Sequence, residues 1–275
     1  MPGPLVVPLP SPDILPFFKA LADETRFSIL RLLAVTDLRA GEIVAHLRVP
    51  QNAVSYHLKT LRALGLLRDH RSSADARDVY YSLNLDRLQA LYSAAGDALH
   101  VEAQYSLAPE ETEASLVPER PLRVLFLCTH NSARSQLAEG LMRYLGGDAV
   151  EVYSAGSDPQ PVHPQALALL QEWDIDISRH TATSLDLFVG QSFDYIITVC
   201  DSVRDRCPVF PDDPVRIHWS FADPTLIEDA DVRTRAFHTV RRELVTRIGY
   251  LLTLPHPATG HRLSVRSLVR TGRAS

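Results

Sequence analysis

Residues 123–140 read RVLFLCTHNSARSQLAEG, and this stretch decides the fold of the second half of the chain. The apolar run VLFLC predicts a buried strand and residues 135–145 predict a helix, so the turn between them lies where a strand leads into a helix. Ligands bind at this edge of open α/β sheets. A loop there offers inward-pointing amides to an oxyanion and lowers the pKa of a thiol. We therefore predict that Cys128 is a reactive thiolate and that Arg134 holds a tetrahedral oxyanion through two hydrogen bonds.

The loop after Cys128 supplies the rest of the predicted oxyanion site. The hydroxyl groups of Ser132 and Ser135 are candidate hydrogen-bond donors to the sulfur. Every residue of the loop counts as a candidate oxyanion contact, which gives the set Thr129, His130, Asn131, Ser132, Ala133, Arg134 and Ser135.

Strands and helices alternate throughout residues 122–254. The apolar runs predict strands over 123–128, 150–154 and 195–200, and the periodic stretches predict helices over 135–145, 164–173 and 232–252. This alternation predicts an α/β domain with a small parallel sheet.

The chain has three cysteines, which are too few for a disulfide framework and fit a reducing compartment. Cys200 ends the third predicted strand, and Cys207 follows on a polar loop. Their spacing is not C-x2-C and no histidine pattern completes a zinc site, so we predict no bound metal.

The first half of the chain has the element order of a winged helix-turn-helix. Asp23 is predicted to cap a second helix, so that two helices cover 13–34. Leu15, Phe18, Leu21 and Ala22 share one face of the first helix. A short helix over 41–47, a turn, a helix over 51–64, a hairpin with strands at 66–68 and 79–83, and a helix over 85–105 follow.

The helix over 51–64 is the predicted recognition helix. Val54, Leu58 and Leu61 share its buried face, which leaves Gln51, Asn52, Ser55, Tyr56 and Lys59 for base edges and phosphates in a major groove. His57 is equally compatible with packing against the scaffold and with DNA contact. Positive side chains around the hairpin are predicted to contact phosphates as a wing: Arg68, His70, Arg71 and Arg77.

Composition sets the expected location and boundaries. The net charge is -5, the first residues lack the basic start of a secretory signal, and no apolar run approaches the ~18–20 residues that a membrane span needs. We expect a cytoplasmic protein without membrane contact. The predicted domains are a DNA-binding domain over 13–105, an acidic linker over 106–121, the α/β domain over 122–254 and a basic tail over 255–275.

The second half resembles the low-molecular-weight tyrosine phosphatase fold, specifically its arsenate reductase branch, over about residues 122–253. The resemblance rests on CTHNSARS with SQLAEG after it, YSAG at 153–156, DIDISRHT at 174–181 and HWSFADP at 218–224. It implies that Asp223 is the general acid. It also implies that Cys200 attacks Cys128 and that Cys207 resolves the resulting disulfide. Phosphatases of this fold tend to have a cysteine before the motif arginine, where this chain has Ala133.

The first half resembles the ArsR-type repressors over about residues 13–104, through KALADETRFSILRLLA, QNAVSYHLKTLRALGLL and DVYYSLN. The resemblance implies a homodimer that binds operator DNA. Many relatives sense soft metals through cysteines on the short helix before the turn, but residues 1–127 contain no cysteine. Because arsenite prefers thiolate ligands, we expect any arsenite or redox signal to enter through the second half.

Three functions remain open at this stage. The first is a repressor fused to an arsenate reductase that uses a three-cysteine relay, without a tightly bound cofactor and with thioredoxin as reductant. The second is a repressor fused to a tyrosine phosphatase. The third is a transcription factor whose second half binds an oxyanion or arsenite without turnover.

Overall fold

The computed structural model describes residues 13–98 and 120–254. These residues form two compact units, one from 13–70 with 78–98 and the other from 71–77 with 120–254. Several predicted features lie outside the described residues, namely the end of the helix over 85–105, most of the acidic linker and the basic tail. The domain boundaries stay predictions.

The first unit packs helices on a three-stranded sheet of order β1-β3-β2. Its core includes Ile29, Leu33, Val54, Leu58 and Leu61. In chain order, the elements are α1 Ile14–Leu21, α2 Glu24–Val35, β1 Leu38–Arg39, α3 Ala40–Leu47, α4 Gln51–Ala63, β2 Leu67–Arg71, β3 Val79–Leu83 and α5 Leu85–Ala98. The predicted helix-turn-helix order and hairpin are confirmed, and the two-residue strand β1 was not predicted.

The predicted break between the first two helices is confirmed, because the Asp23 side chain accepts a hydrogen bond of 2.9 Å from the N–H of Arg26. The face of α1 that carries Leu15 and Phe18 is not the face that packs on the core. Leu15 is 63% exposed and Phe18 43%, whereas Phe17 is buried. The helix is apolar on both faces, and its periodicity therefore does not identify the face that packs on the core.

The second unit is the predicted α/β domain, with a parallel four-stranded sheet of order β5-β4-β6-β7. Its strands are β4 Leu122–Cys128, β5 Val150–Gly156, β6 Tyr195–Thr198 and β7 Val215–His218. Its α-helices are α6 Arg134–Gly146, α7 Pro164–Gln171, the single turn α8 Asp201–Arg204 and α9 Ala230–Thr253. The sequence prediction missed β7, whose first two residues are exposed on a short edge strand.

The sheet order sets the position of the candidate site. The first strand of the unit, β4, lies between β5 and β6, with Leu127 in register with Thr198. Because all four strands are parallel, their carboxyl ends lie at one edge, and Cys128 ends β4 there.

Candidate active site and nucleic-acid interface

Cys128 and Cys200 lie at the carboxyl ends of neighbouring strands. The N–H of Val199 donates to the Leu127 carbonyl (2.8 Å), which extends the β4–β6 pairing to the residue before each cysteine. Both thiols are buried, Cys128 being 2% and Cys200 1% exposed. The hydroxyl of Thr129 lies 3.4 Å from the Cys200 sulfur, and so the loop after Cys128 contacts the second cysteine directly.

Backbone hydrogen bonds from the segment 158–163 hold the loop between β4 and α6 on its outer side. The N–H groups of Asp158, Gln160 and His163 donate to the carbonyls of Thr129, His130 and Ser132 at 2.8, 2.9 and 2.8 Å. In a trans peptide the carbonyl and the next N–H point in opposite directions. The outward carbonyls therefore turn the N–H groups of residues 130, 131 and 133 inward, which is the arrangement an oxyanion needs.

One of these inward N–H groups already has a partner, because the Asn131 N–H donates to the Cys128 sulfur at 3.0 Å. The sulfur also lies 2.9 Å from the Ser135 hydroxyl. Ser135 accepts a hydrogen bond from the Asn131 side-chain amide, so its own proton is available for the sulfur. Ser132, the other candidate donor, makes its contact through its carbonyl instead.

The pKa of Cys128 is subject to opposing influences. Burial raises the pKa of this thiol, and the neighbouring Cys200 raises it further, while Arg134, the Ser135 hydroxyl and the Asn131 N–H lower it. Burial dominates, so the pKa of Cys128 is raised, contrary to the lowered pKa predicted from the sequence. The difference arises because the sequence indicates the loop and the helix but not how completely the sulfur is buried.

Arg134 and Asp223 are paired in the site. The guanidinium donates to the Asp223 carboxylate and, at 2.9 Å, to the Phe221 carbonyl. The second Asp223 oxygen accepts hydrogen bonds from the Thr225 N–H (3.0 Å) and hydroxyl (2.7 Å). The two side chains that the sequence assigned to oxyanion binding and proton transfer are therefore brought together, 89 residues apart in the chain.

Cys207 lies just beyond the single turn α8, with its N–H directed at the Arg204 carbonyl (3.3 Å). It is half-buried, and burial raises the pKa of its thiol while Arg216 lowers it. Next to Cys200, the buried Asp201 carboxylate accepts hydrogen bonds from Ser220 and from His218 (3.1 Å). Burial acts to raise the pKa of Asp201, but these hydrogen bonds bring it well below its usual range.

The sequence prediction missed the residues that support the loop. Besides the segment 158–163, Gly156 at the end of β5 packs directly against it. A Cβ at position 156 would lie 2.6 Å from the Thr129 carbonyl oxygen and 2.8 Å from the Asn131 nitrogen. The YSAG motif indicated that this position has a role, but it did not indicate the reason. The reason is that the backbone of the loop lies too close to Gly156 to leave room for a side chain.

The recognition helix α4 has the two faces that the sequence predicted. Val54, Leu58 and Leu61 are buried. The exposed positions are Gln51, Asn52, Ser55, Tyr56 and Lys59. His57 departs from the other candidates, because its side chain is only 13% exposed and its Nδ1 lies 3.8 Å from Asp23 Oδ1. This position favours packing of His57 against the scaffold over contact with DNA.

The hairpin presents the predicted positive side chains. Arg68, Arg71 and Arg77 are exposed. Arg77 is paired with Asp75 and Arg71 donates to the Ala76 carbonyl, so both are already engaged within the loop. His70 stacks on Tyr80 with 5.9 Å between ring centres, which favours a packing role.

The described residues contain no group of three or more His, Cys, Asp or Glu side chains arranged to hold a metal ion. In the same residues, no helix combines the length and apolarity needed to cross a membrane.

The second unit thus has a buried cysteine in an oxyanion loop at the edge of a parallel sheet. Residues 123–254 match the family model of the low molecular weight phosphotyrosine protein phosphatases, and residues 23–69 match that of the bacterial regulatory proteins of the arsR family.

An arsenate reductase of Halalkalibacterium halodurans is 41% identical over 126 residues, which are 46% of this chain and 91% of that protein. Arsenate reductase 2 of Staphylococcus saprophyticus is 38% identical over 125 residues, 46% of this chain and 92% of that protein. The crystal structure of an arsenate reductase from Archaeoglobus fulgidus is 28% identical with a TM-score of 0.38 and covers 46% of this chain and 98% of that one.

The chain therefore belongs to the low-molecular-weight phosphotyrosine phosphatase family, with arsenate reductases among its relatives. It combines this domain with an ArsR-family helix-turn-helix in its first half.

Replacing Gly156 by alanine is expected to displace the loop around Cys128, because the new methyl group meets backbone atoms that have no room to move. We expect a loss of about 1–3 kcal/mol in the stability of this unit and much slower alkylation of Cys128 by iodoacetamide. Thermal melting and mass spectrometry of the Cys128 peptide measure both. Gly41→Ala is the control, since a Cβ there meets nothing within 4 Å. Wild-type melting and alkylation in Gly156→Ala would contradict the proposed packing.

Replacing Ser135 by alanine removes a hydrogen-bond donor from the Cys128 sulfur. Because that donor favours the charged thiolate, its loss is expected to raise the pKa of Cys128, and alkylation at neutral pH becomes several-fold slower. The pH dependence of the alkylation rate checks this, with the midpoint moving to higher pH. An unchanged midpoint would mean that the hydroxyl does not donate to the sulfur.

Proposed function

We propose that this chain is a bifunctional arsenic-resistance protein, a DNA-binding repressor fused to an arsenate reductase that works by a three-cysteine relay. The observation that carries the reductase assignment is the placement of Cys128 and Cys200 at adjacent strand ends, with the Thr129 hydroxyl 3.4 Å from the Cys200 sulfur. A phosphatase needs only the first of these thiols.

The first chemical step uses the loop. Arsenate enters the ring of inward N–H groups and takes hydrogen bonds from Arg134, which releases Asp223 from its pairing. The Cys128 thiolate, stabilised by Ser135 and Asn131, attacks arsenic and forms an S–As bond. One As–O bond breaks, and Asp223 in its protonated form donates a proton so that the oxygen leaves as water.

The second step transfers the oxidation to sulfur. The Cys200 thiolate attacks the Cys128 sulfur, an S–S bond forms, and the electron pair of the broken S–As bond stays on arsenic. Arsenic(V) is thereby reduced to arsenite while two thiols are oxidised to a disulfide. Cys207 then attacks Cys200, which frees Cys128 and leaves a Cys200–Cys207 disulfide.

An external dithiol protein of the thioredoxin type completes the cycle in this proposal. Reduction of the Cys200–Cys207 disulfide requires two electrons, and no tightly bound cofactor is needed to supply them. Cys207 is the half-buried member of the pair, so it is the sulfur that a partner protein reaches more easily.

The relay can be tested by single replacements of its second and third cysteines. Cys200→Ser is expected to abolish steady-state arsenate reduction with thioredoxin, its reductase and NADPH, while leaving aryl-phosphate hydrolysis measurable, because only arsenate turnover requires a second thiol. Cys207→Ser is expected to stop after one turnover with a Cys128–Cys200 disulfide, visible by mass spectrometry of the non-reduced protein.

The alternatives predict different outcomes in the same experiment. A fused tyrosine phosphatase would hydrolyse the aryl phosphate and show no arsenate turnover in the unmodified protein. An oxyanion or arsenite sensor would show neither activity. Arsenate turnover that survives in Cys200→Ser would overturn the relay.

The DNA-binding proposal rests on the exposed face of α4 and the arginines of the hairpin. The side chains of α4 would contact base edges in the major groove, and the arginines of the hairpin would contact phosphates. Two copies of the chain in a homodimer would bind two half-sites related by the two-fold axis of the dimer. Exposed apolar side chains on α1 and α5 support dimer formation, since Leu15, Phe18 and Tyr92 are 63%, 43% and 51% exposed.

Lys59→Ala is expected to weaken binding to a duplex selected by the full-length protein from a random pool. It is also expected to reduce the slope of log affinity against log salt by about one, because a lysine on a phosphate releases one counterion. Fluorescence anisotropy across salt concentrations measures both quantities. Arg31→Ala, which removes a positive charge from the exposed side of α2, is the control. Equal salt slopes for Lys59→Ala and the unmodified protein would remove Lys59 from the interface.

A further inference from the structure

Two arginine side chains are buried among the residues that the structure describes, and the reaction proposed above uses only one of them. Arg134 and Arg247 are each 6% exposed. Arg134 begins α6 next to the Cys128 loop, whereas Arg247 lies near the end of α9. Burying a guanidinium group costs free energy, which contacts in the interior have to offset. The surroundings of Arg247 therefore indicate what this side chain does.

The guanidinium group of Arg247 lies over two aromatic rings of the segment that leads from β7 to Asp223. Its central carbon is 5.9 Å from the centre of the Trp219 ring and 5.6 Å from the centre of the Phe221 ring. A guanidinium attracts the face of an aromatic ring within about 6 Å, and more strongly where water is excluded. Trp219 is 1% exposed and Phe221 4%, so this contact is dry. Arg247 thus holds two side chains of one short segment.

Trp219 fixes the start of this segment to the sheet. Its N–H donates to the Thr198 carbonyl at 2.9 Å, which continues the pairing of β6 and β7 by one residue. Its ring lies 6.0 Å from the ring of Phe126, two residues before Cys128 on β4. Because Trp219 is fixed relative to β4, a side chain that joins Phe221 to Trp219 also fixes Phe221 relative to the Cys128 loop.

The backbone of Phe221 supports the arginine of the oxyanion site. Its carbonyl accepts a hydrogen bond of 2.9 Å from Nη1 of Arg134, and the Asp223 carboxylate accepts one from Nη2. Both acceptors lie within residues 221–223, and α9 also packs against the turn Pro224–Leu226 that follows. When an oxyanion takes the place of Asp223 at Nη2, the Phe221 carbonyl can still orient the guanidinium of Arg134 through Nη1.

The side-chain type at position 247 suits this task. A guanidinium group is planar and more weakly hydrated than an ammonium group, so it is the cation that proteins prefer for buried contacts with aromatic faces. An apolar side chain of similar length would fill the same space without attracting the two rings by its charge. The cation at position 247 therefore adds attraction between α9 and residues 219–221.

We propose that Arg247 is a positioning residue for the oxyanion site, which holds Phe221 so that its carbonyl orients Arg134. The inference rests on the proposed function to the extent that the Cys128 loop binds a tetrahedral oxyanion. Arg247 acts through Phe221 and needs no contact with the oxyanion itself.

Protection of Cys128 by inorganic phosphate tests this role. Phosphate has the tetrahedral shape and charge of arsenate but is not reduced by thiols. The alkylation rate of Cys128 by iodoacetamide is followed by mass spectrometry at increasing phosphate, which gives the concentration for half-protection. We expect Arg247→Met to raise this concentration about tenfold, because Arg134 loses its fixed orientation. We expect Arg247→Lys, which keeps the charge but not the planar group, to raise it less.

A double-mutant cycle shows whether Arg247 acts through Arg134. In an Arg134→Lys background, Arg247→Met is expected to change half-protection less than twofold, because the guanidinium that Phe221 orients is already absent. Arg242→Ala, at an exposed position of the same helix, is the control and is expected to bind phosphate like the unmodified protein. Effects of Arg134→Lys and Arg247→Met that multiply, or unchanged half-protection in Arg247→Met alone, would overturn the proposal.

Thermal melting of each variant separates positioning from loss of the fold. Methionine is unbranched and close in length to the part of arginine that it replaces, so we expect Arg247→Met to stay folded at the assay temperature. If it unfolds, Arg247→Lys decides the question. Half-protection at the unmodified concentration in folded Arg247→Lys would then count against the proposal, and a severalfold rise would support it.

Failure of this proposal is distinguishable from failure of the proposed function, because protection by phosphate involves no arsenate reduction. If the chain does not reduce arsenate but protection depends on Arg247, then Arg247 positions an oxyanion site of another activity. If arsenate is reduced and protection does not depend on Arg247, the reductase assignment stands and the role of Arg247 does not. Absence of any protection in the unmodified protein would overturn the oxyanion site and both proposals with it.

Discussion

The candidate active site depends on the direction of a few peptide planes. The carbonyls of Thr129, His130 and Ser132 are bound from outside by the backbone of residues 158–163, so the N–H groups that follow them point inward, and that of Asn131 donates to the sulfur. No side chain makes this cradle, and its precision derives from β5 and the segment after it. Gly156 also helps to fix the position of the loop, because a side chain at position 156 would overlap with the loop backbone. The orientation of the loop around Cys128 is thus set largely by backbone groups of a neighbouring segment.

Much of this architecture could be predicted from the sequence, because the deciding signals are local. An apolar strand that runs into CTHNSARS places Cys128 at a strand end and Arg134 at a helix start, and both positions are as expected. The capping side chain of Asp23 and the buried stripe of α4 follow from residue type and spacing in the same way. Parallel pairing also follows, since alternating strands and helices leave few other connections.

Other features of the fold and of the candidate site could not be predicted from the sequence, because they depend on which surfaces pack against each other in the folded protein. Helix α1 has apolar side chains on its exposed side as well as on its buried side, so the sequence alone did not show that Phe17 packs inward while Leu15 is exposed. His57 lies on the recognition helix but near its buried face, and only the position of Asp23 shows that it packs against the scaffold. The pKa of Cys128 depends on burial that several elements produce together.

Burial also gives the proposed relay a direction. Cys128 and Cys200 are almost completely enclosed at adjacent strand ends, whereas Cys207 is half-buried beyond the single turn α8. A single helical turn forms few backbone hydrogen bonds of its own, so unwinding it costs little free energy. In the proposed relay, the segment that joins Cys200 to Cys207 therefore rearranges to bring the two sulfurs together. Oxidation that begins at the enclosed arsenic-binding sulfur would then end on a pair whose outer member faces a protein partner. In the proposed relay, the substrate chemistry would take place at the enclosed sulfurs, and the exchange with a partner would take place at the more accessible Cys207.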